Sequence, residues 1–305
     1  MSLIHIENLS VHAGSVELLA PISLTVQKGE RLTILGQTGS GKSLLAQAIM
    51  GNLPASLRTE GYVRLFGQLV NAEERQAFWG KQISMLPQEP WNSLDPLMGA
   101  KQQLAQTYHL VAGESSAQAQ QSADYTLALQ GLQESGHKRV DQLSGGMAQR
   151  VAIACAMAGG APVLLADEPT KGLDVSRRDQ VVEQLMTQSE QGALITITHD
   201  VAVARQIGGR MMVIKSGELL EEGNAEDILN APQHPFTKAL IDADPVNWVD
   251  EIRDMRHGEP LISVQDLTIG HGKQALSKHL NFTLHQGEVV GVVGDSGCGK
   301  STLGD

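Results

Sequence analysis

Apolar and polar residues alternate from Leu3 to Val11, and again from Ile22 to Gln27 ahead of a Lys28-Gly29-Glu30 turn. A period of two places one face of each segment on a core, so both are expected as antiparallel strands. Leu32–Leu35 reads as a strand that runs into a glycine-rich stretch, and Leu44–Met50 has helical composition with Gly51 as its stop. Gly61–Leu65 and Gln68–Val70 form the arms of a hairpin turning at Phe66-Gly67, and Gln82–Leu86 is a short strand. Three prolines between Pro87 and Pro96 forbid a continuous helix, which leaves Gln88 in an extended loop.

From Leu97 to about Arg139 the chain is rich in Ala, Gln and Leu and poor in β-branched residues, so it is expected to be helical. Ser144 is placed to cap a further helix that runs to Ala158 and stops at Gly159-Gly160-Ala161-Pro162. Val163–Ala166 is wholly apolar and delivers Asp167-Glu168, while Ala193–Thr198 is a second buried strand ending in His199-Asp200. Val181, Val182, Leu185 and Met186 mark one face of the helix between them. Such alternation of strand and helix predicts a parallel sheet covered on both faces.

Past Asn230 the pattern changes to a proline-interrupted tail and then an acidic, irregular stretch from Asp242 to Pro260. After it the chain repeats itself. Leu261–Leu267 echoes Leu3–Leu9, and Gly294-Asp295-Ser296-Gly297-Cys298-Gly299-Lys300-Ser301 echoes Gly36–Ser43, at a constant offset of 258 positions. The copy ends at Asp305, a few residues into its helix, so residues 261–305 are expected as the truncated start of a second domain. Residues 1 to about 240 are expected to be stable and 261–305 loosely packed, because Val289, Val290, Val292 and Val293 would lack sheet partners.

Composition narrows the function classes. A net charge of −11 over 305 residues argues against broad nucleic-acid binding. Cys155 and Cys298 have neither metal-ligand nor disulfide spacing, and Cys155 is expected to be a packing residue. The opening residues lack a secretory signal, and no stretch approaches the ~20 apolar residues that span a bilayer. Any association with a membrane is therefore expected to run through a partner.

The chemistry centres on Gly36-Gln37-Thr38-Gly39-Ser40-Gly41-Lys42-Ser43, followed by Leu44. Strand, glycine turn and helix in that order make a phosphate site: backbone N–H groups curl around the anion, and the helix N-terminus faces it. Lys42 supplies a full positive charge and the Ser43 hydroxyl a ligand for Mg²⁺. Asp167 would hold Mg²⁺ directly or through water, Glu168 would act as general base toward water, and His199 would meet the terminal phosphate while keeping Glu168 placed. Gln88 would reach both the metal and the water from its loop. Ser144, Gly145 and Gly146 form a second anion-binding helix start without a lysine of its own.

Taken together, Gly36–Ser43, Gln88, Leu143–Arg150, Val163–Glu168, Leu173-Asp174 and His199 resemble the ABC-type ATPases. The resemblance implies an α/β fold over 1–230, with a P-loop ATPase core, an antiparallel β subdomain and a helical subdomain at about 91–150. Residues 231–260 would be a docking tail and linker. It also implies ATP and Mg²⁺ as cofactors, and a head-to-tail pair of nucleotide domains in which Ser144, Gly145 and Gly146 complete the partner's site. By the same likeness Gly294, Gly297, Gly299, Lys300 and Ser301 belong to a second nucleotide loop.

The run Gln88–Pro96 and the tail Asn230–Leu240 are similar to those of importers for peptides, nickel and related solutes. That points to membrane-embedded permease subunits as partners, to a solute-binding protein acting indirectly, and to the cytoplasmic membrane face as location. Soluble ATPases of ribosomes or DNA, and an inactive fragment of a fused importer ATPase, are the alternatives. Three departures stand out: Ala13, preceded by His12, replaces the usual adenine-stacking aromatic (His271 in the second copy). Lys171-Gly172 replaces the usual small residues after Asp-Glu, and the second copy lacks its own Gln88, signature, Asp-Glu and histidine counterparts.

Overall fold

A computed structural model describes residues 2–89, 93–173, 175–190, 192–244, 258–271, 274–294 and 299–304. The chain divides into a larger unit, Met1–Gly172 with Ser176–Trp248, and a smaller one built on Val249–Asp305.

The larger unit starts with the two alternating segments, β1 (Ser2–Ala13) and β2 (Val16–Gln27), paired antiparallel. The hairpin β4 (Leu57–Leu65) and β5 (Gln68–Leu69) joins them in a sheet of order β2-β1-β4-β5. It turns at Phe66 and Gly67, both at positive φ (52° and 83°), the geometry that matches strand twist in a two-residue turn.

A second sheet has the order β10-β9-β3-β8-β7-β6. Its strands are β3 (Arg31–Leu35), β6 (Ile83–Leu86), β7 (Val163–Asp167), β8 (Ala193–Thr198), β9 (Arg210–Lys215) and β10 (Glu218–Asn224). The pairs β6/β7, β7/β8, β8/β3 and β3/β9 are parallel, whereas β10 folds back antiparallel on β9. The expected parallel sheet also carries one antiparallel edge strand, because Ser216-Gly217 makes a tight turn with φ of 50° and 83° instead of a helical crossover.

Helix α1 (Lys42–Met50) ends at Gly51 in the left-handed region, where the sequence places its stop. Its buried Leu45 and Ile49 join Ile4, Ile6 and Leu65 of the first sheet and Leu32, Ile34 and Ile195 of the second in one core. Each such side chain contributes roughly 1.5–3 kcal/mol on burial, which fixes α1, and with it the glycine loop, against both sheets.

The stretch expected to be helical resolves into α2 (Ala100–Leu110) and α3 (Ser116–Leu129), followed by short 3₁₀ turns at Gln133–Ser135 and Val140–Gln142. The break falls where Ser115 caps α3 through a reciprocal pair with Gln118. Helix α4 (Gly145–Ala158) starts at the Ser144 cap, with the hydroxyl accepting from the Met147 N–H at 3.3 Å. Burial pushes the Cys155 thiol of α4 up to about 12, against a smaller downward pull from Thr107, which suits packing and not reactivity.

Helix α5 (Val175–Ser189) buries Val181, Val182 and Leu185 as expected, while Met186 of the same face is half-buried. Next come α6 (Val201–Ile207), capped by Asp200, then α7 (Ala225–Asn230) and α8 (Pro235–Asp242). Thr237 and Ile241 of α8 are buried, and Ile241 packs in a cluster with Leu35, Val201, Val213 and Ile228. The start of this tail is tied to β10: the Glu221 carboxylate accepts from the backbone N–H groups of Gln233 (2.9 Å) and His234 (3.1 Å).

The smaller unit contains an antiparallel pair, β11 (Pro260–His271) and β12 (Gln274–His285), and a short α9 (Lys300–Gly304). Between β12 and α9, Val289–Val293 is not a strand, and its valines are 46–92% exposed. No helix among the described residues is long and apolar enough to cross a membrane.

Candidate functional site

The loop between β3 and α1 is held by both sheet neighbours of β3. The Gly36 N–H donates to the Thr198 carbonyl of β8 at 3.3 Å, and a Cβ on Gly36 would run into the Ile214 carbonyl of β9. Gly41, at φ 97°, is the residue from which α1 starts. Lys42 then folds back over the loop, donating to the carbonyls of Gly36 (2.7 Å) and Gln37 (2.8 Å). Burial pulls its ammonium pKa down, partly offset by the carboxylates of Glu168 and Asp167. A buried cation and a helix N-terminus beside a cleft lined by Gly39 and Gly41 form an anion cradle.

Opposite stand the two carboxylates at the end of β7. Asp167 is 3% exposed; its carboxyl is raised above the ordinary range chiefly by burial, while a hydrogen bond from the Ser43 hydroxyl pulls the other way. Its Oδ1, like the Ser40 Oγ, is buried without a hydrogen-bond partner. An unpaired buried polar atom costs about 1–3 kcal/mol, so two beside a phosphate-type loop mark where a ligand belongs. Hydroxyl, carboxylate and the Gln88 amide form a hard oxygen set of the kind Mg²⁺ takes, and the cradle fits a nucleotide phosphate.

Glu168 adopts φ 49°, a left-handed conformation that costs a non-glycine residue about 1–2 kcal/mol. Several bonds hold it there. Its N–H donates to the Ile197 carbonyl at 2.8 Å, and its own carbonyl accepts from the Lys171 N–H at 3.2 Å. Its carboxylate accepts from Thr198 Oγ1 at 3.3 Å and from His199 Nδ1 at 2.7 Å. Because the carboxylate only accepts, Nδ1 carries the proton of this bond, on a ring that is about half exposed.

Thr38 through Leu44, with Gln88, Asp167 and Glu168, line one cleft. Gly36 and Gln37 serve it as carbonyl acceptors for Lys42, and His199 reaches it through Glu168. Ser144, Gly145 and Gly146 are not part of its wall. Ser144 and Gly145 lie exposed at the start of α4, and a Cβ on Gly145 would meet nothing within 4 Å. His12 is engaged by Ser10 Oγ at 3.0 Å.

In the second loop Lys300 donates to the Gly294 carbonyl at 2.7 Å, and Gly299 and Ser301 sit at the start of α9. Gly297 lies outside the described residues, as do Pro90–Asn92 of the Gln88 loop, Asp174 and the stretch 245–257.

Two participants escape a reading of the sequence. Thr198 is one of two buried hydroxyls, with Thr196, on a strand whose other residues are apolar. Gln149 of α4, 1% exposed, donates through Nε2 to the Pro169 carbonyl at 2.8 Å, a contact across 20 positions that no local pattern announces.

The profile of the ABC transporter family matches residues 19–171 and 277–305. The uncharacterized ABC transporter ATP-binding protein YejF of Escherichia coli (strain K12) is 32% identical over 329 residues, covering 99% of this chain and 62% of that protein. The glutathione import ATP-binding protein GsiA of Salmonella typhi is 32% identical, covering 96% and 55%. The peptidoglycan transport ATP-binding protein YejF of Agrobacterium fabrum is 33% identical, covering 99% and 60%. The chain thus spans 55–62% of the length of these curated relatives. Among solved structures, the dimeric post-hydrolysis state of the ATP-binding cassette MJ0796, bound to ADP and Pi, is similar with a TM-score of 0.64 and 26% identity. That match covers 73% of this chain and 98% of the cassette. CbiO1 from Clostridium perfringens, part of the ABC transporter complex cbiONQ, gives 0.63 and 25%, covering 75% and 91%.

Proposed function

This chain belongs to the ABC transporter family, and on that premise we propose that it is the ATP-binding, ATP-hydrolysing subunit of an importer for peptides, nickel or a related small solute. The observation that carries the reading is one cleft lined by Lys42, Ser43, Gln88, Asp167 and Glu168, with Asp167 Oδ1 and Ser40 Oγ unpartnered at its wall. Glycine N–H groups and Lys42 bind the phosphates; Ser43, Gln88 and Asp167 would hold Mg²⁺, which supplies charge neutralisation there. Glu168 accepts the proton of the attacking water, and His199 keeps that carboxylate oriented.

Ser144 and Gly145, exposed and outside this cleft's wall, support a head-to-tail arrangement in which the Ser144–Gly146 turn completes the site of a second ATP-binding domain. Membrane-embedded permease subunits would hold the protein at the cytoplasmic face, and a solute-binding protein would act through them. Relatives that bear glutathione import and peptidoglycan transport in their names support the peptide-like end of the solute range. Glu168→Gln is the test: ATP binding stays within about twofold of the parent, and phosphate release falls by about 10²- to 10⁴-fold. Unchanged hydrolysis in that variant would remove Glu168 from its role.

A further inference from the structure

Helix α4 carries two features that face different ways. Its first residues, Gly145 and Gly146, follow the exposed Ser144 cap. Three positions beyond Gly146, on the buried side with Ala148, Val151 and Ala152, stands Gln149. An amide among apolar neighbours is unfavourable unless its hydrogen bonds are met. Gln149 meets one of them by donating to the Pro169 carbonyl at 2.8 Å. Pro169 directly follows Glu168, whose left-handed backbone persists only while its surroundings hold it. Proline offers no N–H, so its carbonyl is its one backbone handle.

We infer that Gln149 is a positioning residue that couples the Ser144–Gly146 turn to the orientation of Glu168. The inference rests on the proposed reading of that turn as half of a second domain's nucleotide site. A rigid helix joins the two features within six positions, so a shift of the turn on docking moves the Gln149 amide and draws the Pro169 carbonyl with it. Glu168 then leaves or enters alignment with its Thr198 and His199 partners. One nucleotide, closed over the turn, thereby adjusts the general base serving the other.

The test uses the full chain with Gln149→Leu, which keeps the volume and removes the donor, and Gln149→Glu, which donates only when protonated. With Gln149→Leu, kcat falls about 10- to 100-fold with KM within about twofold, since small misplacement of a catalytic group is costly. In nucleotide-free protein, hydrogen exchange at the Lys171 amide, which closes the turn onto Glu168, accelerates about 10-fold while the melting temperature stays close to the parent's. With Gln149→Glu, turnover relative to the parent recovers as the pH is lowered, because a buried carboxyl regains its proton there.

A parental kcat in Gln149→Leu overturns the inference. So does parental exchange at Lys171, or a joint loss of kcat, affinity and melting temperature that marks a merely structural role. A parent chain without ATP hydrolysis would instead overturn the proposed function, and the exchange comparison would still decide the Gln149–Pro169 link.

Discussion

The two copies of the repeat share short-range geometry and differ in everything that needs distant partners. Asn8 and Asp266, 258 positions apart, both sit in the left-handed region and both donate their N–H to a side chain of the next strand, Ser23 and Asn281. Glu30 caps the Gln27 N–H at 2.6 Å as Glu288 caps that of His285 at 2.8 Å. Lys42 and Lys300 each reach back 2.7 Å to the first glycine carbonyl of their loop. Yet Arg31–Leu35 is a buried central strand and Val289–Val293 is not a strand at all. The first is bonded on both sides, by β8 and β9; this sequence supplies no such neighbours for the second. Hairpins and loop hooks are written locally, whereas a parallel strand exists only in company.

Matched substitutions sharpen this contrast. The largest effect is expected at the paired lysines. Lys42→Ala weakens ATP binding about 10- to 100-fold, the loss of charge-assisted bonds to phosphate, and abolishes turnover. In the 305-residue chain Lys300→Ala changes turnover less than about twofold, because residues 261–305 hold no counterparts of Asp167, Glu168 and His199. Titration with a fluorescent ATP analogue and phosphate release measure both; a turnover loss from Lys300→Ala would break the comparison.

Ile34 and Val292 are also equivalent positions, fully buried in one copy and 52% exposed in the other. Ile34→Ala should lower unfolding free energy by about 2–4 kcal/mol, and Val292→Ala should stay within about 0.5 kcal/mol, read from denaturant midpoints.

A smaller effect is expected at Asp167. Its carboxyl is raised by burial, so the native state holds that proton more tightly than the unfolded chain. The stability this confers is full below the ordinary value of 3.8 and is lost as pH rises through the raised one. Asp167→Asn escapes that loss. The nucleotide-free variant melts a few degrees above the parent at neutral pH, and Mg²⁺ with ATP stabilises the parent more than the variant. A lower melting temperature for the variant would contradict the buried, unpartnered Oδ1.

The site was legible to the extent that its members announce themselves by type and neighbours. Glycines before Lys42, carboxylates after an apolar strand and a histidine after another all carry their chemistry in a few adjacent letters. Their convergence in one cleft depends on β3, β7 and β8 lying side by side, which alternation of strand and helix implies without giving the order. Illegible were the φ of Glu168, set by bonds to Ile197 and Lys171, and the reach of Gln149 to Pro169, set by packing of α4. The same distinction explains the stretch after Leu97. Its composition spells helix throughout, but the break between α2 and α3 follows from a Ser115–Gln118 pair that one residue type cannot signal.

The tail that follows α7 has a practical consequence for anyone dissecting this protein. Thr237 is wholly enclosed, Ile241 nearly so, and Glu221 and Lys215 grip the segment from the sheet edge. A scissor cut at Asn230 would strip the cover from Val201, Ile228 and Leu229 and leave a greasy wound. Trimming beyond Asp244 spares it, so the smallest well-behaved ATPase fragment should keep its last helix.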